Sequence, residues 1–241
     1  MECLERPIWT NYSKNELDQL IIGAPDEATK ELVLKNWDKV AKPLDGMGRF
    51  EGLIAKIGAI VKSDEIDISK KTVVIMCADN GIVEEGISQS KQEVTIAVTE
   101  MMGKGLASVC RMAKTIGADT IPVDIGLNFD RQLSGILSKK VRCGTRNFHK
   151  EPAMTEQEVI RAIAVGIEMV AYCKEAGYKI IATGEAGIGN TTTSSAVASA
   201  LLQCEPSEVT GRGAGLSDVG LLHKQQIIEN AILKYDLYNA E

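Results

Sequence analysis

The chain reads as an α/β protein, a parallel sheet wrapped by helices, and three features predict this. The run Thr72-Val73-Val74-Ile75-Met76-Cys77-Ala78 is apolar after its first residue and rich in β-branched side chains, the mark of a strand buried on both faces. Strand-like runs at 119–125 and 178–183 follow it with helical stretches between, the alternation that builds a Rossmann-like open sheet. Two glycine-rich turns near the C-terminus each open a helix: Gly184-Glu185-Ala186-Gly187-Ile188-Gly189-Asn190 and Gly211-Arg212-Gly213-Ala214-Gly215. Glycine lets backbone approach an anion closely, and the amides at a helix start favour negative charge, so these turns point to phosphate.

Taken in order, residues 14–41 show helical spacing of Leu17, Leu20 and Ile21, then Leu32, Leu34 and Trp37, with a break at Gly23-Ala24-Pro25 where Asp26 caps a second helix. Lys42 to Arg49 is a turn, and Phe50 to Val61 is a further amphipathic helix. Residues 1–62 therefore read as an N-terminal helical segment and 63–241 as the α/β domain. Beyond the strand at 72–78, the pattern predicts a helix at 92–116, strands at 119–125 and near 140, a helix at 155–176, a strand at 178–183, and helices at 190–202 and 217–235. In open parallel sheets ligands bind beyond the carboxyl ends of the strands, which is where the polar loops 79–95 and 184–193 fall.

The 241 residues suffice for a well-cored α/β domain, and 44% hydrophobic content fits a soluble globular protein. Lys and Arg number 27 against 33 Asp and Glu, a net charge of −6 without basic blocks, which argues against nucleic acid or an anionic membrane as partner. The six cysteines, Cys3, Cys77, Cys110, Cys143, Cys173 and Cys204, form no C-x-x-C pair, so no zinc cage is expected. The N-terminus lacks an apolar signal core and no run approaches membrane-spanning length, so a cytoplasmic protein with reduced thiols is expected.

Asp79-Asn80-Gly81 ends the strand 72–78 at the ligand edge. Turn chemistry explains the Asn and Gly but not an acid at that place. The glycines at 184, 187 and 189 do not make G-x-G-x-x-G, which weakens a dinucleotide reading and leaves the phosphate reading intact. Hydroxyls at Thr191, Thr192 and Thr193 either donate to phosphate or cap the helix. Arg212 beside the second turn and Lys224 in the helix after it favour an anion, with a solvated Lys as the alternative. His149 and His223 have no companion at metal-ligand spacing and read as surface or packing residues.

Together these segments resemble the nicotinate-nucleotide:dimethylbenzimidazole phosphoribosyltransferase family of cobalamin (cobamide) nucleotide-loop synthesis. The resemblance runs from about residue 40 onward. It is carried by Lys42, Pro43, Gly46, Gly48, Arg49 and Glu51; by Asp79-Asn80-Gly81, Gly86-Ile87-Ser88 and Glu93-Val94-Thr95; by Val123-Asp124-Ile125-Gly126 and Gly144-Thr145-Arg146-Asn147; and by both glycine turns through Lys224. The resemblance implies transfer of the 5-phosphoribosyl group of nicotinate mononucleotide to a nitrogen of 5,6-dimethylbenzimidazole, with inversion from β to α and nicotinate as leaving group. It implies no cofactor and no metal, and a homodimer. It places the nucleotide and its phosphate on Glu185, Gly187, Gly189, Asn190, Thr191, Gly213 and Lys224, and the acceptor base near Asp79, Ser88, Gln89, Ser90 and Glu93.

Departures from the family pattern are as informative. Asn80 stands where a His is common, and Ser90-Lys91 where many members have an aromatic residue and proline. A more polar acceptor loop, open to benzimidazole or a purine, is the expectation. The family's general-base Glu lies in a Gly-Glu-Gly-Thr-Gly segment, placed by the resemblance beyond Glu241, so no catalytic residue is assigned within this chain. The C-terminal third also completes the small helical domain in the family. The chain alone is therefore expected to turn over little or not at all. Two alternatives stay open: a nucleotide-binding module without catalysis, and an NAD(P)-linked Rossmann enzyme.

Overall fold

The computed structural model describes residues 12–240, which fall into two compact units, one of residues 13–69 and one of residues 70–240 together with Tyr12. The smaller unit is helical. Helix α1 (Lys14–Asp18) opens on a capping box between Ser13 and Glu16, and α2 (Glu27–Asp38) on Asp26, whose carboxylate accepts from Ala28 N at 3.1 Å. Leu20 and Ile21 lie beyond the end of α1 and are exposed, so the helical spacing at 17–21 overstates that helix. Helix α3 (Arg49–Val61) packs against α2 closely enough that a Cβ on Gly58 would meet Val33 Cγ2 at 2.7 Å. In the first turn of α3, Glu51 is buried, pairs with Lys42 at 2.8 Å and accepts Met47 N at 3.0 Å. The Lys-Pro, Gly and Glu pattern here is thus a self-contained turn tied to the helix that follows it.

In the larger unit, four parallel strands lie in the order β3-β2-β1-β4: β1 (Lys71–Ala78), β2 (Ala118–Gly126), β3 (Leu137–Ser138) and β4 (Ile180–Ala186). Alternate residues of β1 face opposite layers. Val74 joins Val123 and the Val165, Met169 and Cys173 face of α6 (Glu156–Glu175). Ile75 and Cys77 join Met102 of α4 (Glu93–Gly103), Cys110 of α5 (Ser108–Thr115) and Leu127. A strand clad on both faces is what its unbroken apolar run requires.

Three sequence expectations change in detail. The helix expected at 92–116 is two helices, because the chain turns at Gly105, whose φ of +71° a helix cannot accommodate. The strand expected near 140 is a two-residue β3 at 137–138, after which Lys139 N and Val141 N bond to the carbonyls of Asp124 and Ile125. Strand β4 runs on to Ala186, so Gly184 and Glu185 belong to the sheet and the turn begins at Gly187. Helices α7 (Asn190–Leu202) and α9 (Asp218–Lys234) follow, separated by the one-turn α8 (Pro206–Val209).

Candidate functional site

The carboxyl ends of β1 and β4 release two turns side by side, and their packing leaves no room for larger residues. A Cβ on Gly187 would lie 2.1 Å from Ala78 O, and one on Gly189, where φ is +88°, 2.8 Å from Val83 Cγ2. Asn80 locks the turns together: its Nδ2 donates to Ile188 O at 3.3 Å and its Oδ1 accepts Thr193 Oγ1 at 3.1 Å. Thr95, buried on α4, accepts Ile188 N at 3.0 Å. Asn80 is thus directed at the β4–α7 turn. The expectation that it makes the acceptor loop more polar is corrected, because both ends of its amide are occupied and the residue is only 8% exposed.

Helix α7 begins at Gly189 without a side-chain cap; Asn190 N and Thr192 N bond to the carbonyls of Gly187 and Gly189, and Gly189, Asn190 and Thr191 line the cleft at the positive end of the helix dipole. Opposite stands Lys224 of α9. It is 1% exposed, and its Nζ donates to Thr191 Oγ1 at 2.7 Å and to Gly211 O at 3.1 Å. Among the described residues no carboxylate pairs with it, and burial pushes its pKa down. A buried ammonium with neutral partners only is costly unless an anion completes its shell. Gly213, at φ +56°, brings its loop against this pair; a Cβ there would sit 2.9 Å from Thr191 Oγ1.

Between these elements lies a cleft of about 50 Å³ lined by Ile87, Ser88, Gln89, Gly187, Ile188, Gly189, Asn190, Thr191, Arg212, Gly213, Ala214, Leu216 and Lys224. Its volume suits a phosphate-sized group and is far below the roughly 300–1,000 Å³ of pockets that engulf a whole ligand. The structure therefore brings together Gly187, Gly189, Asn190, Thr191, Gly213 and Lys224 from the expected nucleotide set with Ser88 and Gln89 from the expected acceptor set. Ser90 and Glu93 do not line it. Arg212 does, but its guanidinium is already engaged by Asp218 and by Leu216 O at 2.9 Å.

Two carboxylates flank the cleft. Glu185, the next-to-last residue of β4, accepts the Asn190 amide and is exposed to solvent. Lost hydration raises its pKa, the Asn190 bond opposes this, and its solvent access limits the effect. Asp79 is fully buried. Its Oδ2 accepts Asn128 N at 2.8 Å while Oδ1 has no partner, and burial raises its pKa. It sits beneath the strand ends and is not part of an open acceptor wall. Its carbonyl accepts Thr145 N at 2.9 Å, and Thr145 Oγ1 accepts Gly81 N at 3.1 Å, so the Gly144-Thr145-Arg146 segment closes over it. Glu158 secures that segment by pairing with Arg146 at 2.9 Å and Arg142 at 3.3 Å.

Sequence spacing did not show that both histidines converge on Glu85. His149 Nδ1 lies 3.2 Å from Glu85 Oε2, and a ring nitrogen of His223 2.7 Å from Glu85 O. No linear pattern reports this, since the contacts span 64 and 138 positions (149 − 85 and 223 − 85).

A parallel sheet whose strand ends carry a glycine-walled cleft, an uncapped helix start and a buried lysine with no carboxylate partner among the described residues defines an α/β protein of the Rossmann-like open-sheet class. A family model described as Phosphoribosyltransferase (DBI_PRT) matches residues 22–240, and the chain belongs to that family. Among its relatives are proteins named nicotinate-nucleotide--dimethylbenzimidazole phosphoribosyltransferase. That of Acetivibrio thermocellus is 44% identical over 211 residues, covering 88% of this chain and 60% of the relative. That of Clostridium perfringens (strain ATCC 13124) is 41% identical over 200 residues, covering 83% and 55%. The crystal structure of CobT from Thermus thermophilus superposes with a TM-score of 0.80 at 32% identity, covering 86% of this chain and 62% of that one. The chain thus spans about three-fifths of the length of the relatives it matches.

Proposed function

We propose that the chain takes part in phosphoribosyl transfer from nicotinate mononucleotide to 5,6-dimethylbenzimidazole or a related base, the step that makes an α-riboside 5′-phosphate for the cobamide nucleotide loop. The observation that carries this reading is Lys224, buried and without a carboxylate partner among the described residues, set with the uncapped start of α7 in the lining of a phosphate-sized cleft. The 5′-phosphate is the natural handle: it fixes the ribose while two flat rings exchange across the anomeric carbon. The nicotinate nitrogen is cationic in the glycosidic bond, so its departure neutralises it and needs no acid. The attacking azole must instead give a proton to a carboxylate.

Of the two carboxylates near the cleft, Glu185 accepts the Asn190 amide and Asp79 is sealed from solvent. The reading assigns no general base among the described residues and leaves that role to the Gly-Glu-Gly-Thr-Gly segment that the resemblance names. Glu185 and the lining residues hold the nucleotide, and Ser88 and Gln89 border the acceptor. Ser90 and Glu93 belong to the acceptor loop without lining the cleft. A homodimer in the cytoplasm is part of the same proposal and is supported by the resemblance and the composition. The proposed division at residue 62 falls just after α3, which ends at Val61, while the compact helical unit runs on to residue 69.

The test is mass spectrometry of nicotinate and α-riboside phosphate after incubation with mononucleotide and dimethylbenzimidazole. The chain is assayed alone and mixed with the C-terminal two-fifths of the Acetivibrio thermocellus relative. Product in the mixture, with little or none from the chain alone, is expected. Mononucleotide bound but product in neither would favour the non-catalytic binding module, and no binding would overturn both.

A further inference from the structure

We infer that the phosphate cleft and the acceptor loop are mechanically joined, so that the nucleotide's phosphate strengthens binding of the acceptor base, with Gln89 and His223 as the positioning residues that transmit it. This rests on the function proposed above.

Residues 85–92 touch the phosphate-binding elements at three separate places. Gln89 Nε2 donates to Gly215 O at 2.7 Å, tying the loop to the glycine turn that carries Gly213. A His223 ring nitrogen meets Glu85 O at 2.7 Å, and His223 is the immediate neighbour of Lys224 on α9. Beneath them Ile82 and Ile87 pack on Ile227 of the same helix, with Phe148 partly buried against the cluster. The far side of the loop's root is held by a different set: Glu85 takes Asn147 Nδ2 at 2.5 Å and His149 Nδ1 at 3.2 Å.

Lys224 and Gly213 are what an anion in the cleft would engage. Fixing them fixes α9 at His223 and the turn at Gly215, and those two groups hold the loop that presents Ser88 and Gln89. Each polar link is a single bond to a backbone carbonyl, so losing one releases a point of the loop while its apolar seat on Ile227 stays. An anion that orders one side lowers the ordering cost on the other, which is positive coupling in its usual range of about 5–150-fold.

The experiment is calorimetric titration of the whole chain with dimethylbenzimidazole, without and with saturating nicotinate mononucleotide, and again with inorganic phosphate. The quantity read is the ratio of base affinities with and without nucleotide, whatever the affinities themselves become. A ratio of about fivefold or more is expected for the native chain. Gln89→Ala and His223→Ala are each expected to bring it below about twofold. Leu222→Ala, exposed on the same helix, is expected to leave it unchanged, with folding checked by circular dichroism. Phosphate alone reproducing part of the ratio assigns the coupling to the anion. A native ratio near one, base binding in neither condition, or full coupling kept in both variants would overturn the inference. Failure of the mononucleotide to bind at all would instead overturn the function on which it rests.

Discussion

Thr193 donates its hydroxyl to the Asn80 side chain at 3.1 Å, joining the end of β1 to the first turn of α7 across 113 positions. Asn80 also donates to Ile188 O, so one amide holds both sides of the turn that forms the cleft floor. Replacing it takes the Asn80 partner from two half-buried polar groups, Ile188 O and the Thr193 hydroxyl. Asn80→Ala is expected to destabilise the fold by about 1–3 kcal/mol and to weaken mononucleotide binding, read by urea denaturation and calorimetry. Unchanged affinity would remove Asn80 from the phosphate site's support.

The glycines of the two turns separate into those the packing demands and those it does not. Gly187→Ala drives a methyl group into Ala78 O, which is backbone and cannot yield. A loss of about 2 kcal/mol or more is expected. Gly211 has open space around its Cβ position and an ordinary φ. Gly211→Ala is therefore expected to change stability by less than about 0.5 kcal/mol. Equal effects in thermal melts would contradict the described geometry of the β4–α7 turn.

Lys224 ties stability to pH with a definite sign. Its folded pKa is lowered from 10.5 by burial, so between that lowered value and 10.5 the unfolded chain holds more protons than the folded one. Stability then rises with pH across this window, and the full cost of the buried ammonium is present below it. Lys224→Met, similar in length and uncharged, is expected to flatten that slope and to match or exceed native stability at neutral pH. Denaturant midpoints measured from neutral pH towards 10.5 report both effects. A variant strongly destabilised at neutral pH would mean the ammonium is already compensated.

Glu158 acts in the opposite direction. The Arg146 guanidinium, with the Thr155 amide and Arg142, holds its carboxyl at about 2 against an ordinary 4.5. Its contribution is complete above 4.5 and is lost as pH falls towards 2. Glu158→Gln is expected to be less stable than the native chain at neutral pH, with the difference closing through that acid window. A difference constant with pH would show that the carboxylate's charge is not what secures the 142–146 segment.

The elements that position the site were legible where one physical rule governs a long stretch. The apolar run of β1, the periodicity of α6 and the glycine-to-helix junctions of α7 and α9 each follow from burial or backbone sterics alone. The break at Gly105 was missed because the apolar periodicity continues on both sides of it. The extension of β4 through Ala186 was missed because glycine and glutamate are poor strand formers, and it is pairing with Ile75, Met76 and Cys77 that keeps residues 184–186 in the sheet. Lys224 was legible as a candidate, but its burial was not, since a lysine on a helix is ordinarily solvated. The links from Asn80 to Thr193, Gln89 to Gly215 and the histidines to Glu85 join distant positions and leave no local pattern.

The central claim, that Lys224 and the α7 start form a phosphate site, is tested most directly by comparing nicotinate mononucleotide with nicotinate riboside, which differs only in lacking the phosphate. Calorimetry of the native chain should show the mononucleotide binding at least about tenfold more tightly, roughly 1.4 kcal/mol, and Lys224→Met should abolish that preference. Equal affinities for the two ligands in the native chain would contradict the account.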